Sequence, residues 1–334
     1  MTSVSIAICT RNRADQLEKT LLSIANQTVP SGLTVDLTVV DNGSTDGTRA
    51  RIESLRPLIP FPVHYEHESV PGVANARNTA LKRTTGEMIL WTDDDTEVPS
   101  QWIERMVEPL LDDEYDAVAG GVQIAPDLQR PWMQKWHRAF LASTDSKTRP
   151  PNDMVGANMA FARHVLEKVP GFDPEIGPGR LGLCEESHFA ERLLLAGYRI
   201  ADRMDVQVYH HFDPARLLRS GFLASARSLG RSQAYIHHHW RHQDEPFSHS
   251  AVRSRAAIVA MQLKLAAKRL FNLRDVLRTE GCAGWENYYV REIAYLKQSL
   301  IERKRSRRYP KLGSRPYDDA ELPGVSSSVA RARA

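Results

Sequence analysis

The sequence predicts an α/β fold, a mixed and mainly parallel sheet flanked by helices, followed by a helical C-terminal extension. Three observations carry that prediction. Strand-like and helix-like segments alternate through the first 95 residues, polar clusters follow the strand ends, and the chain turns helical and Arg-rich after Asp213-Pro214. Residues 1–214 are expected to form one domain with halves at 1–95 and 96–214, residues 215–309 a helical extension, and residues 310–334 a flexible tail.

Taken in order, Ser3–Cys9 (SVSIAIC) is a β-branched apolar run, and Ala14–Asn26 places Leu17, Leu21 and Ile24 on one helical face. Thr34–Asp41 reads as a second strand ending in NGSTDG, where Ser44 or Thr45 can cap a short helix running through Glu53 and Leu55. Val73–Arg83 is a predicted helix stopped by Gly86, and Met88–Thr92 a buried strand. Short strands at Ala117–Val122, Gly156–Phe161 and Val206–His210 surround a helix from Glu185 to Ala196, which Gly197 ends. Ala256–Leu270 carries Leu and Ala at helical spacing, and the Pro, Gly, Ser and Arg content beyond Tyr309 predicts the tail.

The 334 residues allow about two compact units, and 42% apolar with 25% charged residues excludes wholesale disorder, collagen and coiled-coil rods. Cys9, Cys184 and Cys282 are too scattered for a disulfide framework or a four-cysteine zinc site, which points to a reducing, cytoplasmic compartment. The N-terminus lacks the basic and apolar regions of a secretory signal, and the apolar stretch Ala256 to Leu263 is far shorter than the ~20 residues of a spanning helix. The formal net charge of +3 conceals an asymmetry. Residues 251–334 carry 18 Lys/Arg against 8 Asp/Glu, and residues 1–250 carry 26 against 33. A basic C-terminal segment of this kind suits an anionic surface, such as the inner face of a cell membrane.

In an open sheet, ligands bind beyond the carboxyl ends of the strands. CTRNR at 9–13, DNGSTD at 41–46 and Asp93-Asp94-Asp95 all fall at that edge. Three adjacent carboxylates repel one another unless water or a cation compensates them. Oxygen ligands suit a hard cation, so the expected ion is Mn²⁺ or Mg²⁺ sharing its coordination with a diphosphate.

With CTRNR at 9–13, VVDNGSTDGT at 39–48, ANARNTAL at 74–81, DDD at 93–95 and EESHFAERLLLAGY at 185–198, the chain resembles the family 2 inverting glycosyltransferases of the GT-A fold. The resemblance spans roughly residues 3–211, and its strength lies in five motifs in order. It implies a nucleotide-binding half at 1–95 and an acceptor half at 96–214. It implies that Cys9, Thr10, Arg11 and Asp41 hold the base and ribose of a nucleotide-diphosphate sugar, with a UDP-sugar favoured, and that Arg77 lies near its phosphates. Asp93 would serve the ribose and Asp95 the metal, with Asp94 able to replace either, and His210 would complete the metal site. Glu185 and Glu186 match an acidic pair whose second member looks like the catalytic base, although the family usually has Asp there. The processive members typically carry Q-x-x-R-W and spanning helices, which this sequence lacks, so transfer of one or a few sugars to a glycan or lipid-linked acceptor is implied. A sugar nucleotidyltransferase and a non-catalytic nucleotide-sugar or glycan-binding protein of the same fold are the alternatives. CTRNR stands where the former has a Gly-rich loop, and the retained carboxylates oppose the latter.

Three further signals carry less. GPGRLG at 177–182 has the glycines of a dinucleotide loop but no preceding strand, and a flexible loop over the acceptor site fits it better. His238 and His242 have the i, i+4 spacing of a metal-binding pair, yet a polar interaction surface fits the His237–His239 run better. Arg303-Lys304-Arg305 with Arg307-Arg308 suits anionic phospholipid; no stacking platform accompanies it, so nucleic acid is not an expected partner.

Overall fold

The computed structural model describes residues 1–112, 114–144, 154–243 and 251–313. The predicted tail lies outside these from residue 314 onward. The first half alternates β1 (Thr2–Thr10), α1 (Ala14–Ala25), β2 (Leu33–Asp41), α2 (Thr48–Leu55), β3 (Val63–His67), α3 (Val73–Arg83) and β4 (Met88–Trp91). There follow β5 (Thr96–Glu97), α4 (Trp102–Leu111), β6 (Ala117–Ile124), α5 (Lys135–Phe140), β7 (Met159–Ala162), α6 (Glu185–Leu195) and β8 (Ile200–His210). The helices α7 (Arg219–His239), α8 (Ala251–Phe271), α9 (Leu273–Val276) and α10 (Gly284–Glu302) form the C-terminal region.

One sheet orders the strands β3-β2-β1-β4-β7-β6-β8-β5. Strands β1 to β4 pair in parallel, whereas β7 runs antiparallel to both of its neighbours. The two-residue period of a strand supplies both faces of the sheet. Val4, Ile6 and Ile8 of β1 join Met88 and Leu90 of β4 in a core under α1 and α4, while Ala7, Ile89 and Trp91 point into a second core with Ala76 and Ala80 of α3 and Phe189 and Leu193 of α6. The helical region packs its own core, in which Phe222 and Ala226 of α7 meet Ile293 and Leu296 of α10.

Two local expectations differ from the outcome. The strand β3 went unread because VHYEH lacks clean alternation, and only its parallel pairing with β2 makes it a strand. Ser44 and Thr45 do not cap α2. Ser44 Oγ accepts from Asn12 N at 2.9 Å and Thr45 N donates to Asn12 Oδ1 at 2.7 Å, so these residues tie the loop after β2 to the loop after β1. Asn12 stands at φ 53°, a left-handed conformation that Asn tolerates better than most residues.

Candidate active site

The loops after β1 and β4, the N-termini of α3 and α6, and the end of β8 enclose a cavity of about 510 Å³. Cys9, Thr10, Arg11, Arg77, Asp93, Asp94, Asp95, Glu185, Glu186 and His210 all line it. Asp41 is absent from its walls. Its Oδ1 accepts from Ser44 N at 2.8 Å and its Oδ2 from the Tyr65 hydroxyl at 3.0 Å, which makes it a residue that shapes the turn.

The triplet is not three equivalent carboxylates. The Asp93 side chain is 37% exposed, against 5% for Asp94 and 3% for Asp95. Arg13 Nη1 bridges the two buried members, at 2.7 Å from Asp94 Oδ1 and 3.0 Å from Asp95 Oδ2. Burial lifts Asp94 to about 6, reinforced by Asp95 and opposed by Arg13. Burial would lift Asp95 as well, but His210, Arg13 and Arg216 outweigh it and hold that carboxyl below the usual range. The short strand β5 pairs antiparallel with β8, Thr96 opposite His210, and this register delivers the imidazole to the triplet.

That imidazole supplies the observation that bears on a metal. His210 Nδ1 lies 3.1 Å from the Leu141 carbonyl, which can only accept, so in the neutral ring the lone pair is on Nε2. Nε2 sits 3.3 Å from Asp95 Oδ1, a fully buried oxygen with no hydrogen-bond partner. With the ring neutral these are two acceptors face to face, a gap closed either by a proton on Nε2, which ties the imidazole to Asp95, or by a metal cation, and a carboxylate oxygen with an imidazole whose other nitrogen is fixed by a carbonyl is a fitting donor set for Mn²⁺. Mg²⁺ fits less well because it prefers an all-oxygen shell. Among the described residues, no group of three or more His, Cys, Asp or Glu converges on one point.

On the opposite wall, Arg77 gathers the remaining acids. Its guanidinium lies 3.1 Å from Glu185 Oε1, 3.8 Å from Glu186 Oε2 and 3.6 Å from Asp93 Oδ1. Gly156 makes room for it, since a Cβ there would fall 1.9 Å from Arg77 Nη2. The two glutamates then diverge. The Glu185 side chain is 4% exposed, and burial together with its neighbour Glu186 raises its pKa well above the ordinary value. Glu186 is 22% exposed; burial alone would raise it, but Arg77 and the backbone N–H groups, including Gly156 N at 3.4 Å, hold it below the ordinary range. Glu186 is therefore an ionised acceptor open to the cavity, and Glu185 is a buried anchor for Arg77. Burial pushes the Cys9 thiol up to about 12, so it lines the cavity as a neutral group.

Sequence reasoning missed Arg13, Asn42 and Arg216, which also line the cavity. Arg13 was legible in CTRNR as the cation a buried acidic triplet requires. Asn42 binds the Glu68 and Val70 carbonyls and the Gly72 N–H, so it joins the β2 and β3 loops to the start of α3. Arg216 carried no signal, because the turn after β8 alone brings it over Phe212, 5.2 Å from the ring centre. The GPGRLG segment is tied down where Val73 N donates to the Pro178 carbonyl at 3.0 Å. The His run serves the helical region: His237 meets the Tyr295 hydroxyl, His238 the Arg305 carbonyl, His239 Glu302 and His242 the Tyr309 carbonyl. His238 and His242 thus face separate carbonyls, which leaves no support for a shared metal.

A GT-A sheet with an acidic triplet at its ligand edge and paired glutamates across the cavity defines the glycosyltransferase class. Residues 5–170 match the model of glycosyl transferase family 2, and the chain belongs to that family. The succinoglycan biosynthesis protein ExoM of Rhizobium meliloti (strain 1021) is 34% identical over 133 residues, 39% of this chain and 42% of that protein. The glycosyltransferase AglE of Haloferax volcanii is 26% identical over 220 residues, 66% of this chain and 70% of that one. The chain thus spans under half of the first relative's length and somewhat over two thirds of the second's. Among solved structures, the mannosyltransferase PcManGT from Pyrobaculum calidifontis, in complex with GDP-Man and Mn²⁺, aligns over 90% of this chain and 86% of its own with a TM-score of 0.56 and 22% identity. Staphylococcus aureus TarS 1-349 aligns over 91% and 92%, with a TM-score of 0.50 and 17% identity. At these identities the structural likeness speaks to the fold. Among the described residues, no helix is long and apolar enough to cross a membrane.

Proposed function

We propose that the protein is a metal-dependent, inverting and non-processive glycosyltransferase that moves one sugar from a nucleotide-diphosphate sugar to an acceptor hydroxyl. The observation that carries this reading is the division of the cavity: an orphaned Asp95 oxygen beside His210 on one wall, and the ionised, accessible Glu186 on the other. Cys9, Thr10 and Arg11 border the nucleotide, Asp93 is the triplet member open enough to reach its ribose, and Asp41 shapes the turn that borders it from one layer back. Asp95 and His210 would hold the divalent ion, which supplies charge neutralisation to the departing diphosphate when bound. Arg13 and Arg77 fix the carboxylates around that charge, and Arg77 faces where phosphates would lie. Glu186 takes the proton of the acceptor hydroxyl as it attacks the anomeric carbon from the side opposite the leaving group, and a single displacement of that kind inverts the centre.

The family match and the relative named as a glycosyltransferase support sugar transfer in general, and the absence of a crossing helix among the described residues suits a discrete acceptor, glycan or lipid-linked. The test is incubation with Mn²⁺ and a panel of UDP-, GDP- and dTDP-sugars, followed by Glu186→Gln. Donor turnover in the wild type, lost by about 10²–10⁴-fold in Glu186→Gln while nucleotide still raises the melting temperature, is the expected result. Full turnover in that variant removes Glu186 from the role of base, and turnover unaffected by a chelator removes the metal.

A further inference from the structure

We infer that α8 and α9 dock the protein onto an anionic phospholipid leaflet. Among the described residues, only one edge of α8 is covered, through Ile258 and Leu265, which join the core of the helical region. On the opposite edge stand Val252, Val259, Leu263 and Leu270, spaced seven, four and seven residues apart, and at 3.6 residues per turn they fall within about 40° of arc. Leu263 is 66% exposed, Leu270 72% and Phe271 87%, and Leu273 and Leu277 continue the apolar surface past the end of the helix. Large apolar side chains exposed in a continuous stripe of roughly 27 Å mark an interaction surface.

The charges identify the occupant. Residues 251–278 carry seven Lys/Arg and one acid, Asp275; Arg278 and the Trp285 ring N–H engage that acid and Arg269 engages Glu286, while Arg255, Lys264 and Arg274 stand exposed. Arg255 borders the stripe on one side and Lys264 on the other, the arrangement of an interfacial helix whose cations reach headgroups while its apolar side chains enter the acyl boundary. Lys268 lies 5.8 Å from the Trp285 ring centre and 5.5 Å from that of Tyr289, which places two amphipathic aromatics beside it. A second copy of the chain would set these cations against their own images, so self-association is disfavoured. The basic run at 303–308 is a poorer candidate, because Arg303 binds Ser254, Arg305 binds Glu302 and Arg308 binds Glu175.

This inference stands apart from the proposed reaction, since its readout is vesicle binding. The whole chain is sedimented with phosphatidylglycerol-containing vesicles and with pure phosphatidylcholine vesicles, at low and high salt. Binding to the anionic vesicles alone, weakened by salt, is expected. Leu263→Glu/Leu270→Glu, with an unchanged melting temperature, should lower the partition constant at least tenfold, and Lys264→Ala and Arg274→Ala by about fivefold each. A wild type that stays in the supernatant, or a double variant that binds as the wild type does, overturns the proposal. So does a dimer that Leu263→Glu/Leu270→Glu dissociates, because a second copy would then be the occupant.

Discussion

Two buried acid–cation clusters in this chain differ in how completely they are satisfied. In the helical region, Glu286 is fully buried and held by Arg219 and Arg269, and Glu302 is fully buried among His239, Gln298 and Arg305. Neither carboxylate has a buried oxygen without a partner. At the sheet edge, Asp95 Oδ1 and Glu185 Oε2 are buried and unpartnered although Arg13 and Arg77 stand beside the same side chains. The closed cluster can only hold helices together. The open one stores an electrostatic deficit that a ligand can relieve, which is the sign of a site rather than a strut.

Breaking the closed cluster should cost stability and nothing else. Glu286→Ala leaves Arg219 and Arg269 without their shared partner and should lower stability by about 3–5 kcal/mol in chemical denaturation. Nucleotide affinity, by calorimetry, should stay unchanged. The open cluster should respond the other way round. Glu185→Gln removes a carboxylate charge that burial and Glu186 oppose, so its melting temperature should stay level or rise, while turnover falls by about 10²–10³-fold through the loosened Arg77. A strong loss of stability in Glu185→Gln would make the two clusters alike and defeat the contrast.

Gly156→Ala sharpens the comparison from the backbone side. The added methyl meets the Arg77 guanidinium, so about 1–3 kcal/mol of stability should be lost together with activity. The smallest effect expected is a pH dependence where α5 packs against the helical region. His137 accepts from Gln134 N through Nδ1, and its Nε2 faces the Cys282 carbonyl, an arrangement only the neutral ring completes. Burial lowers its pKa, the Cys282 carbonyl opposing. The unfolded chain therefore takes up a proton below the ordinary value of 6.5 before the folded chain does, and stability falls as pH drops through that value. His137→Gln should flatten the slope of melting temperature against pH between about 7 and 5.5.

Much of the architecture was legible because it rests on local periodicity. The alternating residues of β1 and β4, the spacing of Leu17, Leu21 and Ile24, and the polar clusters after each strand are properties of neighbouring residues. The candidate site was legible for the same reason, since Asp93 to Asp95 and Glu185-Glu186 are short runs next to element ends. What the sequence alone determined was therefore which residues are charged and on which edge of the sheet they emerge. Tertiary structure decided the rest. Pairing of β5 with β8 set His210 against Asp95, Gly156 admitted Arg77 and so separated the roles of Glu185 and Glu186, and the turn after β8 brought in Arg216. It also withdrew Asp41 from the cavity and, among the described residues, left one edge of α8 uncovered. Each of these depends on contacts between residues far apart in the chain, and burial and partnership, unlike residue type and spacing, are not local quantities.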